Sequence, residues 1–210
     1  MKIKSKACGD YGTNCYIVEI NQKELIIDPG MDAAMWVLQE VKHPVAILNT
    51  HGHFDHVWSN AELKEKLDIP LYTPKADIFM LENDPFDQGT PSSYPDIIVE
   101  GNQTYDIAGI EVKFLHFPGH TPGCSVILIE DRLFSGDFIF NNSIGRYDFP
   151  YSSETQMRQS LERFLTIEED WEVYPGHGAK TSVKKEQGNI PYWLRYFLKI
   201  YIKSFALKLD

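Results

Sequence analysis

The sequence predicts an α+β fold in which two β-sheets pack face to face between outer helices, a four-layer αββα sandwich. One basis is size and composition: 210 residues, 43% hydrophobic and 24% charged, suit a globular domain with a sizeable core. The other basis is the order of the predicted strands and helices along the chain. Strand patterns followed by helical patterns occur in the first half of the chain and again in the second.

The first half opens with a predicted hairpin. β-rich runs at Thr13–Ile20 and 24–28 flank a turn at 21–23. Apolar residues at helical spacing then predict a helix over 32–41, and the apolar run 45–49 predicts a buried strand. The remaining elements of this half are a helix, a strand and a short helix, predicted at Asn60–Leu67, 71–73 and 76–81.

The second half repeats the pattern. Its predicted strands are, in order, Gln103–Ile107, Ile110–His116, 125–130, 132–135 and 171–174. Before the last strand, residues 153–165 read as an amphipathic helix. The apolar residues that we expect on its buried face are Met157, Leu161, Phe164 and Leu165.

A long proline-containing loop is predicted between the halves, over residues 82–95. Its Phe86 and Tyr94 make it a candidate lid or pocket wall. A solvated excursion without a role in binding is an equal alternative.

Charge and targeting signals narrow the function classes. The formal net charge of -10 disfavours a nucleic-acid partner, because no long-range attraction to a polyanion is available. No secretory signal and no uninterrupted apolar stretch of spanning length is evident in the sequence. The three cysteines are odd in number and match no zinc knuckle, so we expect a soluble protein of the reducing cytoplasm.

A dense cluster of candidate metal ligands follows the strand at 45–49. It comprises His51, His53, Asp55 and His56. In an extended segment, residues i and i+2 point to the same side, so His51 and His53 can grip one ion. If the chain then turns into a helix, Asp55 and His56 swing toward a second position beside the first.

Four ligands cannot complete two ions, so further ligands are expected downstream. The candidates each follow a β-rich run and lie in a glycine-flanked turn: His120, Asp137 and His177. Imidazole together with carboxylate suits zinc, with iron or manganese as alternatives. Asp137 is the natural bridge, because one carboxylate can offer an oxygen to each ion.

These motifs resemble the metallo-β-lactamase-fold hydrolases, and among them the type II glyoxalases, or hydroxyacylglutathione hydrolases. The resemblance covers roughly residues 7–190. Besides the histidine segments, it includes Gly12-Thr13-Asn14-Cys15-Tyr16, Ile27-Asp28-Pro29-Gly30, Gly136-Asp137 and Gly145-Arg146.

The resemblance implies two divalent ions that share Asp137 as a bridge. The first ion would be held by His51, His53 and His120. The second would be held by Asp55, His56 and His177. Asp28 would hydrogen-bond this cluster from the end of its strand, although a turn carboxylate without that role is a fair rival.

Two departures from full-length type II glyoxalases bear on the substrate. Only 33 residues follow His177, so we expect the C-terminal helical domain that binds glutathione to be missing. Arg146 and Asp148 stand where those enzymes carry a lysine and a tyrosine. Arg146 can still grip a carboxylate and is the predicted substrate-binding residue. The chain resembles the compact, glyoxalase-II-like bacterial members of the group.

The predicted function is a dinuclear metal-dependent hydrolase acting on a small-molecule thioester, S-lactoylglutathione or a related compound. Water activated between the ions would attack the carbonyl, with Asp55 orienting it. The alternatives are an iron-dependent persulfide dioxygenase, a lactonase or a phosphodiesterase on the same fold. A binding protein with a decayed site is a further rival.

The predicted domain covers residues 1–190, and residues 191–210 form a separate apolar and basic helix. Pro191 suits its first turn. A basic stripe is expected along its length, from Arg195, Lys199 and Lys203. We expect the helix to pack on its own domain or on a partner subunit in a homodimer, with a membrane-surface anchor as the lesser alternative.

Overall fold

A computed structural model describes residues 1–206, and the side chains of residues 1–197. It confirms the predicted arrangement of two sheets between layers of helix. The first sheet has six strands in sequential order, antiparallel at β1–β3 and parallel from β3 to β6. These strands are β1 Lys2–Cys8, β2 Thr13–Ile20, β3 Lys23–Ile27, β4 Pro44–Leu48, β5 Leu71–Pro74 and β6 Ile97–Val99.

The second sheet also has six strands, in the order β14-β13-β10-β9-β8-β7. Its strands are β7 Gln103–Ile107, β8 Ile110–His116, β9 Ser125–Ile129, β10 Arg132–Gly136, β13 Glu172–Pro175 and β14 Thr181–Ser182. The pair β10 and β13 is parallel, and the other pairs are antiparallel. A small hairpin, β11 Ile139–Phe140 and β12 Ser143–Ile144, follows β10.

Six helices complete the described chain. They are α1 Ala33–Glu40, α2 Phe54–Val57, α3 Asn60–Leu67, α4 Ile78–Asn83, α5 Glu154–Phe164 and α6 Val183–Ala206, with a 3-10 turn at Lys75–Asp77 before α4. Within residues 1–206, none of these helices combines the length and apolarity needed to cross a bilayer.

Three apolar clusters define the four layers. The cluster between the sheets includes Val18, Leu48, Phe114 and Ile127. A second cluster joins the outer face of the first sheet to α1, α3 and α4, through Ile26, Val37, Leu63 and Met80. A third joins the outer face of the second sheet to α5 and α6, through Leu133, Met157, Leu161 and Phe197. Each sheet therefore buries both faces, as a sandwich with outer helices requires.

Some strands were missed because buried apolar residues do not alternate with exposed polar ones along them. In β1 the side chains are mostly exposed and Lys2, Lys4 and Lys6 recur, which is typical of a solvated edge strand. The short strands β6, β11, β12 and β14 carry too few residues for a pattern. The expectation for Leu165 was wrong: α5 ends at Phe164, and Leu165 remains 39% exposed.

The last helix begins earlier than predicted. α6 starts at Val183, so Pro191 lies inside the helix and not in its first turn, and the expected division after residue 190 falls within one element. Proline removes one backbone hydrogen bond there, but packing outweighs that loss. Ile190 and Phe197 are both buried against the second sheet's outer cluster. The side chains of the predicted stripe residues Lys199 and Lys203 lie outside the described residues. The predicted end of the helix, beyond residue 206, lies outside them as well.

Candidate metal centre

One edge of the sandwich gathers the ends of strands from both sheets. Parallel strands end at a common edge, and β3, β4 and β5 are parallel in the first sheet, as are β10 and β13 in the second. His51 follows β4, Asp137 follows β10 and His177 follows β13. His120 lies in the loop between β8 and β9. Residues far apart in the sequence therefore face one another.

The first group consists of His51, His53 and His120, and all three are buried. One ligand atom of each lies within 4.8 Å of the others. The ring centroids are 4.9 Å apart for His51 and His53, and 4.5 Å apart for His53 and His120. This spacing of three imidazole nitrogens suits a single cation.

The second group consists of Asp55, His56 and His177. The chain turns into helix α2 at Phe54, which swings Asp55 and His56 away from His53 as the spacing predicts. The Nε2 atom of His177 lies 3.4 Å from Oδ2 of Asp55. His56 is fully buried, whereas the side chain of His177 keeps 29% of its exposure.

Asp137 lies between the two groups. Its Oδ2 is 3.5 Å from Nε2 of His120 and 3.4 Å from Nε2 of His177, and its Oδ1 is 3.3 Å from Nε2 of His56. One carboxylate thus reaches imidazoles of both groups. Gly176 makes this approach feasible, because a Cβ there would lie 2.1 Å from Oδ1 of Asp137.

The outward nitrogen of several imidazoles is held by an oxygen acceptor. Nδ1 of His56 lies 3.0 Å from Oδ2 of Asp28, and Asp28 also accepts hydrogen bonds from the backbone N–H and hydroxyl of Thr50. Nδ1 of His120 lies 2.7 Å from the carbonyl oxygen of Arg146, and Nδ1 of His177 lies 3.1 Å from that of Tyr11. A proton held at Nδ1 leaves Nε2 free as a ligand.

The inward atoms fit a pair of divalent cations. Four imidazole Nε2 atoms and one carboxylate oxygen at this centre are buried without a hydrogen-bond partner among the described residues: those of His51, His53, His56, His120 and Oδ1 of Asp137. Buried polar atoms are ordinarily paired, so atoms aimed at a common point require another partner. Imidazole with carboxylate is the donor set of zinc, iron and manganese sites.

The two groups differ in their electrostatics. Burial, together with neighbouring imidazoles, lowers the pKa of His51 and His53. Burial opposes the charged form of His177 as well, but contacts with Asp137 and Asp55 outweigh it and raise the pKa of His177 to about 9. Burial also opposes ionisation of Asp55, yet His56 and His177 hold the pKa of that carboxyl below its usual range.

A cavity of about 470 Å³ opens onto both groups. Aromatic side chains make up much of its wall: Tyr11, Phe54, Phe86, Phe140 and Phe149. Phe86 of the 82–95 loop is among them, so that loop does supply pocket wall, whereas Tyr94 is 62% exposed and is not part of the lining.

Arg146 also lines the cavity, but its guanidinium is already paired. It donates two hydrogen bonds to Asp148, from Nε at 2.9 Å and from a terminal nitrogen at 3.0 Å. It also lies 4.1 Å from the ring centroid of Phe149. The predicted carboxylate-binding side chain therefore already has a carboxylate partner within the chain.

Asp77 was not singled out in the sequence, and Thr13 entered only as part of the motif Gly12-Thr13-Asn14-Cys15-Tyr16, without a role. Asp77 is fully buried and accepts hydrogen bonds from the backbone N–H groups of Gly52 and Gly123 and from the hydroxyl of Thr121. It thereby ties together the segments that carry the first group. The hydroxyl of Thr13 donates to Oδ2 of Asp55 at 2.6 Å, in the second group. The position of Asp77 just after a parallel strand is the one available signal.

The family model of the metallo-beta-lactamase superfamily matches residues 8–177, a span that includes every residue of both groups. The chain belongs to the metallo-beta-lactamase superfamily. Relatives of the chain match it over nearly its whole length. A protein of Aquifex aeolicus (strain VF5) is 35% identical, and the match covers 91% of this chain and 97% of that protein.

Two further superfamily relatives have names that point to hydrolysis. The probable metallo-hydrolase YqgX of Bacillus subtilis (strain 168) is 30% identical, covering 91% of this chain and 97% of the relative. The hydroxyacylglutathione hydrolase GloC of Haemophilus influenzae is 29% identical, covering 85% and 92%. Together with the ligand groups, these relatives support a metal-dependent hydrolase.

Solved superfamily structures agree with the fold. The B3 metallo-beta-lactamase BLEG-1 matches with a TM-score of 0.83 at 28% identity, covering 91% of this chain and 99% of that one. TTHA1623 in a di-iron-bound form matches with a TM-score of 0.78 at 31% identity, covering 90% and 99%. The di-iron neighbour and the two ligand groups support a dinuclear divalent metal site in this chain.

Proposed function

We propose that the protein is a thioester hydrolase of the glyoxalase II type, acting on S-lactoylglutathione or a related acyl thioester. The observation that carries the proposal is the set of buried, unpartnered Nε2 atoms from both groups around Asp137, which itself lines a pocket that reaches both groups. The name of GloC, a hydroxyacylglutathione hydrolase, supports the reaction class.

In this proposal the first cation is held by His51, His53 and His120. The second is held by Asp55, His56 and His177, and Asp137 bridges the two. Zinc is the favoured ion, with iron or manganese as alternatives. When bound, such a pair supplies a water nucleophile at neutral pH and polarises the substrate carbonyl.

The protein's own groups position the reaction. Asp55 is a carboxylate at neutral pH, as an aspartate ordinarily is, and the hydroxyl of Thr13 donates a hydrogen bond to its Oδ2. It can accept a hydrogen bond from the attacking water and so orient it. Asp28 holds the ring of His56 from behind through Nδ1. Water adds to the thioester carbonyl, the C–S bond breaks, and a carboxylic acid and a thiol result. A thiolate leaves readily, so little general-acid assistance is needed.

A substrate panel tests the proposal. Protein loaded separately with zinc, iron and manganese is assayed against thioesters, lactones, β-lactams and phosphodiesters, with oxygen uptake on a persulfide measured in parallel. We expect thioester turnover to exceed the others and to fall on the order of a thousand-fold or more in Asp137→Ala. Faster turnover of another class, or oxygen consumption with the persulfide, contradicts it.

A further inference from the structure

The wall of the pocket carries aromatic rings around both ligand groups. The ring of Phe86 lies 5.2 Å from His53, that of Phe149 lies 6.0 Å from His53, and that of Phe140 lies 6.0 Å from His177. Tyr11 and Phe54 pack edge to face at 5.1 Å beside them. A substrate whose scissile bond reaches the centre must therefore lay its flanking groups against aromatic surface.

The wall of the pocket away from the ligand groups offers little positive charge for a substrate carboxylate. Among the described residues of the lining, Arg146 is the one permanent cation, and the carboxylates of Asp55 and Asp137 belong to the ligand groups, where bound cations would offset their charge. The guanidinium of Arg146 already donates two hydrogen bonds to the carboxylate of Asp148. The whole chain carries a formal net charge of -10 as well. A free carboxylate on the substrate would have to compete with Asp148 for Arg146.

We propose that the pocket selects acyl thioesters whose groups beside the scissile bond are uncharged and apolar, aromatic groups above all, over thioesters of glutathione. This inference rests on the proposed thioester hydrolysis, and within it favours the related acyl thioesters over S-lactoylglutathione itself. Glutathione carries two carboxylates and one ammonium group, which find little complementary charge here. An aromatic group gains contact with the rings of Phe86, Phe140 and Phe149 and leaves water, which favours its binding.

Four thioesters test the inference, made from two acyl groups and two thiols. The acyl groups are phenylacetyl and lactoyl, and the thiols are the neutral N-acetylcysteamine and glutathione. With metal-loaded wild type, we expect kcat/KM to be at least about ten-fold higher for phenylacetyl than for lactoyl on either thiol. For each acyl group we expect the glutathione thioester to have the higher KM.

Asp148→Asn releases Arg146 from its partner. We expect this variant to lower KM for the glutathione thioesters about two- to five-fold and to leave KM for the neutral thioesters nearly unchanged. The matched control is Asp131→Asn, which removes one carboxylate from the ion pair with Arg132, at the opposite end of β10 from Asp137. Asp131→Asn changes the net charge by the same amount as Asp148→Asn, and it should not alter the preference for neutral over glutathione thioesters.

Phe140→Ala tests the aromatic wall separately. We expect the ratio of kcat/KM for phenylacetyl over lactoyl to fall about ten-fold, whereas Tyr94→Ala, which removes an exposed ring outside the lining, should preserve it.

Three results overturn the inference. If lactoylglutathione is the best of the four substrates, or if Asp148→Asn leaves the KM of the glutathione thioesters unchanged, the selection is wrong while thioester hydrolysis stands. If metal-loaded protein hydrolyses none of the four, both the selection and the proposed function fall.

Discussion

The two ligand groups meet at Asp137 but are built differently. The first group is three buried imidazoles whose pKa values are lowered, by burial above all. The second group includes a carboxylate, and its imidazoles have raised pKa values because carboxylates surround them. It also reaches solvent, through His177. A group of three buried imidazoles thus lies beside a group that contains a carboxylate and a partly exposed imidazole, and we expect the two to respond differently to substitution.

Removal of the shared carboxylate should have the largest effect, because it damages both groups at once. In Asp137→Ala we expect kcat/KM to fall on the order of a thousand-fold or more, with fewer than two cations bound per chain. Kinetics and metal analysis on the same preparation measure both. The control is Asp131→Ala, just before β10 as Asp137 is just after it. Full metal content and turnover in Asp137→Ala would rule out a bridging role.

Single imidazole deletions test whether the groups are unequal. His51→Ala opens a buried position in the first group, and we expect cation affinity there to fall at least about a hundred-fold. His177→Ala acts at a position that solvent can reach, and water can replace the lost ligand, so we expect a fall nearer to ten-fold. Competition with a chelator measures both affinities. Equal losses would mean that burial does not distinguish the groups.

Asp77, which links the segments that carry the first group, gives the stability of the fold a pH dependence. Burial raises the pKa of Asp77 to about 6, although hydrogen bonds from Thr121, Gly123 and Gly52 oppose the rise. The folded protein therefore takes up this proton more readily than the unfolded chain. The resulting stability is present in full below pH 4 and is lost as pH rises through 6, a change on the order of 3 kcal/mol.

Asp77→Asn removes that titration. Between pH 4 and pH 7, the unfolding free energy of wild type should fall relative to that of Asp77→Asn by on the order of 3 kcal/mol. Denaturant titrations of the metal-free proteins measure this difference. Parallel curves for the two proteins across that range would show that Asp77 does not titrate there.

An effect no larger than that of His177→Ala is expected from the hydroxyl that supports the second group. Thr13→Val keeps the shape of this buried side chain but removes the 2.6 Å hydrogen bond to Asp55. We expect a cost of about 1–2 kcal/mol, seen as an approximately ten-fold weaker second cation with the first unaffected. Thr13→Ser should restore binding. Equal weakening of both cations in calorimetry would contradict the assignment of Thr13 to the second group alone.

Much of the fold was predictable where apolar periodicity was strong. The helix Asn60–Leu67 and the strands Thr13–Ile20, Gln103–Ile107 and Ile110–His116 have the predicted bounds. Periodicity failed at the edge strand β1, whose side chains mostly face water, and at the start of α6. Proline indicates a helix start in an isolated segment, but the buried neighbours Ile190 and Phe197 keep Pro191 inside a longer helix.

Residue type and spacing alone identified the candidate ligands, since imidazoles and carboxylates at strand ends are recognisable from the sequence. The groups that orient these ligands became evident only in the folded protein. His120 and His177 are oriented by the backbone carbonyls of Arg146 and Tyr11. The guanidinium of Arg146 is hydrogen-bonded to the carboxylate of Asp148. Every residue has a backbone carbonyl, so the residue type does not reveal which carbonyl will accept a hydrogen bond from a histidine ligand. Contacts between residues as far apart as Tyr11 and His177 arise only when the two sheets have packed.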